Sequence, residues 1–192
     1  ISAVKNDDAG STDQIDIECR SGTGKLAFFI KSNNQGKSAE TASAVFSDGA
    51  NDWKHIVCVA DNSANESYIY VDGSLITLDG TNDGDLSGLT LSNYTSVDEL
   101  FIGARDDAGT ASNFMEGNID EYAIWNTALS AGDISALYSA RGTANLNDDG
   151  NSGNLVGWWR FEEGSGTSAT DSSPNTNTGT LTNAPAYSAS TP

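Results

Sequence analysis

Apolar residues recur along this chain in short runs, and clusters of Gly, Asn, Asp, Ser and Thr separate them. That rhythm predicts strands joined by turns. Strands are expected at residues 1–5, 14–20, 26–31, 53–60, 68–71, 99–104, 119–125 and 155–161, with a short one at 44–46. Residues 14–20 alternate, with Ile15 and Ile17 on one face and Gln14, Asp16 and Glu18 on the other. Residues 26–31 are apolar on both faces, as in a central strand. Asp72-Gly73 supplies a tight turn into Leu75 and Ile76. Residues 33–43 and 79–88 read as polar loops.

Residues 117–142 break the pattern. Ile119, Glu121, Ala123 and Trp125 alternate with Asp120, Tyr122 and Ile124, as in a strand buried largely on both faces. A short helix follows at about 130–141. Ser130 is its N-cap and Asp133 completes a capping box. Leu129 and Ile134 are placed for a hydrophobic staple. Ile134, Leu137 and Tyr138 form an apolar stripe, and Gly142 ends the helix. The fold class expected is all-β: a two-sheet antiparallel jelly-roll sandwich with one short helix.

Composition adds limits. The chain has 192 residues and 37% hydrophobic content, enough for one large β domain. Its net charge is −18, with 27 Asp+Glu against 9 Lys+Arg, so no general basic surface exists for nucleic acid. An acidic surface fits solubility, a salty environment or divalent cations. No apolar run reaches the roughly 20 residues of a membrane span, and no signal peptide is recognised. The chain opens at Ile1 inside a predicted strand, so a natural start is expected to be missing. Cys19 and Cys58 lie in predicted strands. They pair if those strands are neighbours and are otherwise two free buried thiols.

Several motifs in order carry a family resemblance: W-K-H-I-V-C-V-A-D, Y-I-Y-V-D-G, F-I-G-A-R and F-M-E-G-N-I-D-E-Y-A-I-W-N-T-A-L-S. They resemble the laminin-G-like, concanavalin A-like lectin/glucanase jelly-roll domains over most of residues 1–142. The later segment G-W-W-R-F-E-E-G-S-G-T-S-A-T-D-S-S-P-N-T-N-T-G-T-L resembles the opening of such a domain, yet it follows the helix. The resemblance therefore implies one circularly permuted domain over 1–192, with 150–192 supplying the closing strands; a truncated second repeat is the alternative. Permuted modules of this kind resemble domains of phage virion and secreted bacterial proteins.

The resemblance also implies a structural Ca2+ site, with Asp171 and Asn177 in the loop, Asp120 on the strand and Glu162 after the Trp pair. Hard cations need several oxygen ligands, and a buried unpaired Asp120 would be costly. The alternative is that Asp120 accepts loop N–H bonds and Asp171 makes an Asx-turn. Asn145, Asn147, Asp149 and Gly150 imitate an EF-hand start, but the twelfth position is Val156, so a turn is expected there. Gln14-x-Asp16-x-Glu18 is similar to the E-x-D-x-E strand of glycosidases on a related sandwich. An amide at Gln14 removes the first carboxylate, and no enzyme is expected. His55 reads as a packed sandwich residue. Tyr94, Phe114, Trp158 and Tyr187 are the candidate ligand-binding aromatics. The expected function is a non-enzymatic glycan- or surface-recognition module, extracellular or on a virion surface. A structural or decoration protein is the alternative. Its partners would be a cell-surface glycan or neighbouring surface proteins, copies of itself included.

Overall fold

A computed structural model describes residues 2–5, 13–32, 35–47, 52–91, 99–107 and 110–189, and divides into two compact units, Ile1–Glu116 and Gly117–Pro192. In the first unit the strands run β1 (Ser2–Lys5), β2 (Gln14–Cys19), β3 (Leu26–Ser32), β4 (Gln35–Thr41), β5 (Ile56–Asp61), β6 (Glu66–Val71), β7 (Ser74–Leu75), β8 (Leu78–Asp83), β9 (Glu99–Ile102), β10 (Arg105–Asp107) and β11 (Thr110–Ser112). Six of them form an antiparallel sheet in the order β8-β4-β3-β2-β1-β9. A second, three-stranded sheet has the order β5-β6-β7, and β10 pairs with β11.

Both sheets feed one core. Leu26, Phe28 and Ile30 come from β3, Ala39 from β4, and Ile69 and Val71 from β6, with Leu86 and Leu89 from the loop after β8. Ile15 and Ile17 pack against the same cluster from β2. Apolar inner faces of two antiparallel sheets meeting this way is the sandwich arrangement. β3 is central, as its two-faced apolar pattern predicts.

Two expected loops turn out to be strands. β4 and β8 fall largely within residues 33–43 and 79–88. On β4 the buried residues are Ala39 and Thr41, and the rest of the strand is polar and partly exposed. Its six-residue register with β3, from Ala27↔Glu40 to Ser32↔Gln35, holds it in the sheet. Backbone pairing needs no apolar side chain, so hydropathy misses such a strand. Conversely, 44–46 forms no strand. Val45 and Phe46 donate their N–H groups to the Gly24 carbonyl at 2.8 and 2.9 Å. Gly24 has φ +63°, and a Cβ there would lie 2.0 Å from the Phe46 carbonyl oxygen, so only glycine fits. Residues 53–55 precede β5. Neither cysteine is in a disulfide; Cys19 is exposed rather than buried, and burial pushes the Cys58 thiol up to about 12.

The second unit contains β12 (Tyr122–Trp125), α1 (Ala131–Ala140), a 3-10 turn at Ser152–Asn154, β13 (Leu155–Trp159), β14 (Ser168–Ala169) and β15 (Gly179–Thr180). β12 pairs antiparallel with β13, placing Tyr122 opposite Trp159 and Ala123 opposite Trp158. β14 pairs with β15. The expected strand at 119–125 starts only at Tyr122, because Glu121 adopts φ +51°, outside strand geometry. Its residues are half-buried rather than buried on both faces. α1 matches expectation: Ser130 and Asp133 form a reciprocal capping box, and Arg141 caps the other end with φ 46° ahead of Gly142. The core of this unit is Leu146, Leu155 and Trp158, with Ala123, Trp125 and Leu137 packed against it.

Candidate functional site

β13 ends at Trp159, short of the expected 155–161, and Arg160 follows it directly, two residues beyond Trp158. Trp158 is 4% exposed. Its indole N–H donates to Glu121 Oε2 at 2.7 Å. The Arg160 guanidinium lies over its ring, 5.2 Å from the centroid, as cation–π attraction favours. Arg160 Nε also donates to Glu121 Oε1 at 3.3 Å, and its Nη2 lies 3.7 Å from Glu162 Oε1. Glu121 therefore grips both residues at once. Burial pushes its carboxyl above the usual range, against the bond from Trp158 and the charge of Arg160. Its left-handed backbone is uncommon for a residue with a long side chain, and such strain concentrates at functional positions.

Beside this trio lies an open cavity of about 400 Å³ lined by Thr143, Asn145, Asn147, Trp158, Arg160 and Ser172, among others. Its walls are turns that follow α1 and a loop held to β13. Asn145 Nδ2 donates to Asp148 Oδ2, and the Asn147 N–H to Asn145 Oδ1 at 3.3 Å. Asn147 Nδ2 donates to the Ser172 carbonyl at 2.9 Å, and the Ser172 N–H to the Trp158 carbonyl at 2.7 Å. The EF-hand-like segment is thus a set of side-chain-closed turns, as its missing twelfth carboxylate predicts. Among the described residues, Arg160 Nη1, Ser172 Oγ and Asn147 Oδ1 make no hydrogen bond to protein. One cationic donor, one hydroxyl and one acceptor are thereby left to a ligand.

Asp171 is spent differently. It is 5% exposed and accepts four hydrogen bonds. Oδ1 takes the N–H groups of Trp158 and Ser173, both at 2.8 Å. Oδ2 takes the Asn177 N–H at 2.7 Å and the Ser173 hydroxyl at 2.9 Å. Burial pulls its carboxyl up, but these bonds outweigh it and leave the group below the ordinary carboxylate range. Asn177 donates Nδ2 to the Val156 carbonyl at 3.0 Å, and its own carbonyl accepts from the Trp159 indole at 2.9 Å.

Asp120 precedes β12 rather than lying on it. Its Oδ1 accepts the Glu121 N–H at 3.0 Å; burial raises its carboxyl, and neighbouring Glu162 adds to that. Tyr187 is no open platform either: it is half-buried, and its hydroxyl donates to the Ser168 carbonyl. Phe114 is 55% exposed in the first unit. Tyr94 lies outside the described residues. Of the described aromatics singled out, Trp158 alone lines the cavity. Arg160 and Glu121 were missed as site residues. Their signals were there: Arg160 is two residues from Trp158 in the expected strand 155–161, and Glu121 is an acid in the stretch leading into an apolar strand.

The model of the concanavalin A-like lectin/glucanases superfamily matches residues 2–135. The chain belongs to this superfamily. Membership points to a carbohydrate- or protein-binding module, although the concanavalin A-like fold also includes glycosidases. No curated protein sequence matches the chain. Among solved structures, an S-layer domain-containing protein from Clostridium thermocellum (its residues 221–444) is similar at 22% identity and TM-score 0.36. The match covers 70% of this chain and 65% of that one, so the chain spans less than two thirds of that protein's length.

The calcium implied by the family resemblance would have to displace donors at Asp171, whose two oxygens already accept four N–H or O–H groups, while Asn177 donates its Nδ2 to backbone. Among the described residues, no three His, Cys, Asp or Glu side chains gather as a metal-binding group. On the strand that resembles a glycosidase, Gln14 donates to Asp16 Oδ2 at 2.5 Å, Asp16 is 2% exposed, and Glu18 binds Arg20 at 2.6 Å. An acid so buried has no approach for a sugar. His55 is half-buried, with burial lowering its pKa. No described helix is long and apolar enough to cross a membrane.

Proposed function

We propose that this superfamily member binds saccharide, without cleaving it, in the cavity beside Trp158 and Arg160, in an extracellular or surface-exposed setting. The observation that carries the reading is the set of unspent groups there: Arg160 Nη1, Ser172 Oγ and Asn147 Oδ1, around about 400 Å³ of space. Sugar hydroxyls both donate and accept, so a wall that mixes donors and acceptors suits them. Small-ligand sites are concave, with a few fixed polar groups, and this one is of ordinary size. Trp158 serves as the floor that fixes Arg160, not as an open stacking face. A protein partner would be favoured by a contiguous apolar patch. The exposed large apolar residues among those described, Leu75, Phe114 and Val156, are few.

Residues 150–192 are read as supplying the permuted closing strands of the family domain. In support, the family match ends at residue 135, and β12 inside it takes β13 beyond it as partner. The test is a glycan array probed with the wild type and with Arg160→Ala and Asn147→Ala. Defined glycan signals that each variant weakens by about tenfold, roughly one charge-assisted hydrogen bond, are expected. A blank array, alongside self-association buried through these loops, would replace the reading with a structural role.

A further inference from the structure

A saccharide site must still choose between neutral sugars and the acidic sugars, uronates and sulfated units, common on cell surfaces. Among the described residues, Arg160 is the one cationic residue lining the cavity. Taken alone, it would favour an acidic ligand. It is not alone: Glu121 Oε1 lies 3.3 Å from its Nε, and Glu162 Oε1 lies 3.7 Å from its Nη2. Asp120 is close enough to Glu162 for each to feel the other's charge. One positive charge therefore faces at least two negative ones. An incoming carboxylate or sulfate would displace those partners or meet a net negative field. A neutral hydroxyl pair meets no such opposition and can use Nη1 as donor.

Resting on the saccharide reading above, we infer that Glu121 and Glu162 set the specificity of the cavity, neutralising Arg160 so that it takes neutral sugars and rejects acidic ones. Glu121 acts as a positioning residue as well. Its second oxygen holds the Trp158 indole, so the ring beneath the guanidinium and the charge beside it are fixed by one side chain. Glu162 is the outer partner. Its side chain is 63% exposed, so its replacement leaves the packing intact.

The test is calorimetric titration of the whole chain with two panels. The neutral panel is cello-, manno- and galacto-oligosaccharides; the acidic panel is oligoguluronate, oligogalacturonate and a sulfated galactan oligosaccharide. Wild type is expected to bind a member of the neutral panel and to bind the acidic panel at least about tenfold more weakly. Glu121→Gln keeps an acceptor for the Trp158 indole but loses the charge. This variant and Glu162→Gln are each expected to gain about three- to tenfold affinity for the acidic panel at low salt, a gain that 0.5 M NaCl screens away. Equal or tighter binding of the acidic panel by wild type overturns the inference and leaves the saccharide reading standing. Variants with no acidic gain also overturn it, and Glu162→Gln guards against a folding defect in Glu121→Gln. Failure of both panels with all three proteins overturns the saccharide reading itself.

Discussion

Asp171 stabilises its loop by accepting four donors, two of them N–H groups otherwise buried at Trp158 and Ser173. Asp171→Ala orphans those donors and is expected to cost about 2–4 kcal/mol by urea unfolding. Because its folded pKa lies below the unfolded value, its stabilisation is present above that unfolded value near 3.8 and is lost as pH falls through the folded pKa. Neither calcium nor EDTA is expected to move the melting temperature of wild type; a calcium-dependent rise that Asp171→Ala abolishes would contradict this assignment. Asp16 works in the opposite sense. Burial, then the charge of Glu18, raises its carboxyl to about 6, against Arg105 and the Gln14 bond. Its Oδ1 has no hydrogen-bond partner among the described residues. Well below 3.8 it is protonated in both states and costs nothing by ionisation. Between 3.8 and about 6 the unfolded chain gives up the proton while the folded protein keeps it, a penalty that reaches the order of 2–3 kcal/mol above about 6. Asp16→Asn is therefore expected to raise the melting temperature at pH 7 and to change it little at pH 3.5. A constant difference at both pH values would count against the buried-acid account.

At the level of elements, legibility followed the physical signal each one carries. α1 was readable because Ser130, Asp133 and Gly142 mark its ends independently of packing. β3 was readable because it is apolar on both faces. β4 and β8 were not, since backbone pairing holds polar strands that hydropathy cannot see. The late start of β12 was hidden too: nothing in residue type announces that Glu121 takes a positive φ. Within β13, Gly157 reads as an ordinary strand glycine, yet a Cβ there would lie 2.4 Å from the Trp159 ring. Trp159 is 5% exposed and its indole N–H donates to the Asn177 carbonyl, so the ring has no easy retreat. Gly157→Ala is expected to destabilise by about 1–3 kcal/mol through overpacking. Unchanged stability would mean that the ring is free to shift.

Over the whole molecule, family membership was legible because its motifs fall in order along residues 2–135. Site chemistry was only half legible. Trp158 was named from sequence, but as a stacking surface; the cavity beside it depends on Asn147 and Ser172, brought together by a hydrogen bond between residues 25 apart in the chain. Contacts of that range leave no local pattern. The surplus of acids, 27 against 9 basic residues, gives Arg160 its distinctiveness: a rare cation, held by two carboxylates, at the edge of a polar cavity. The most direct measurement is a two-dimensional NMR titration of the indole and guanidinium N–H signals with the neutral oligosaccharide panel. The account predicts that the Trp158 indole and Arg160 side-chain signals move together and saturate, while the Trp53 indole signal in the first unit stays still. Saturable shifts confined to the first unit, with Trp158 and Arg160 unmoved, would contradict it.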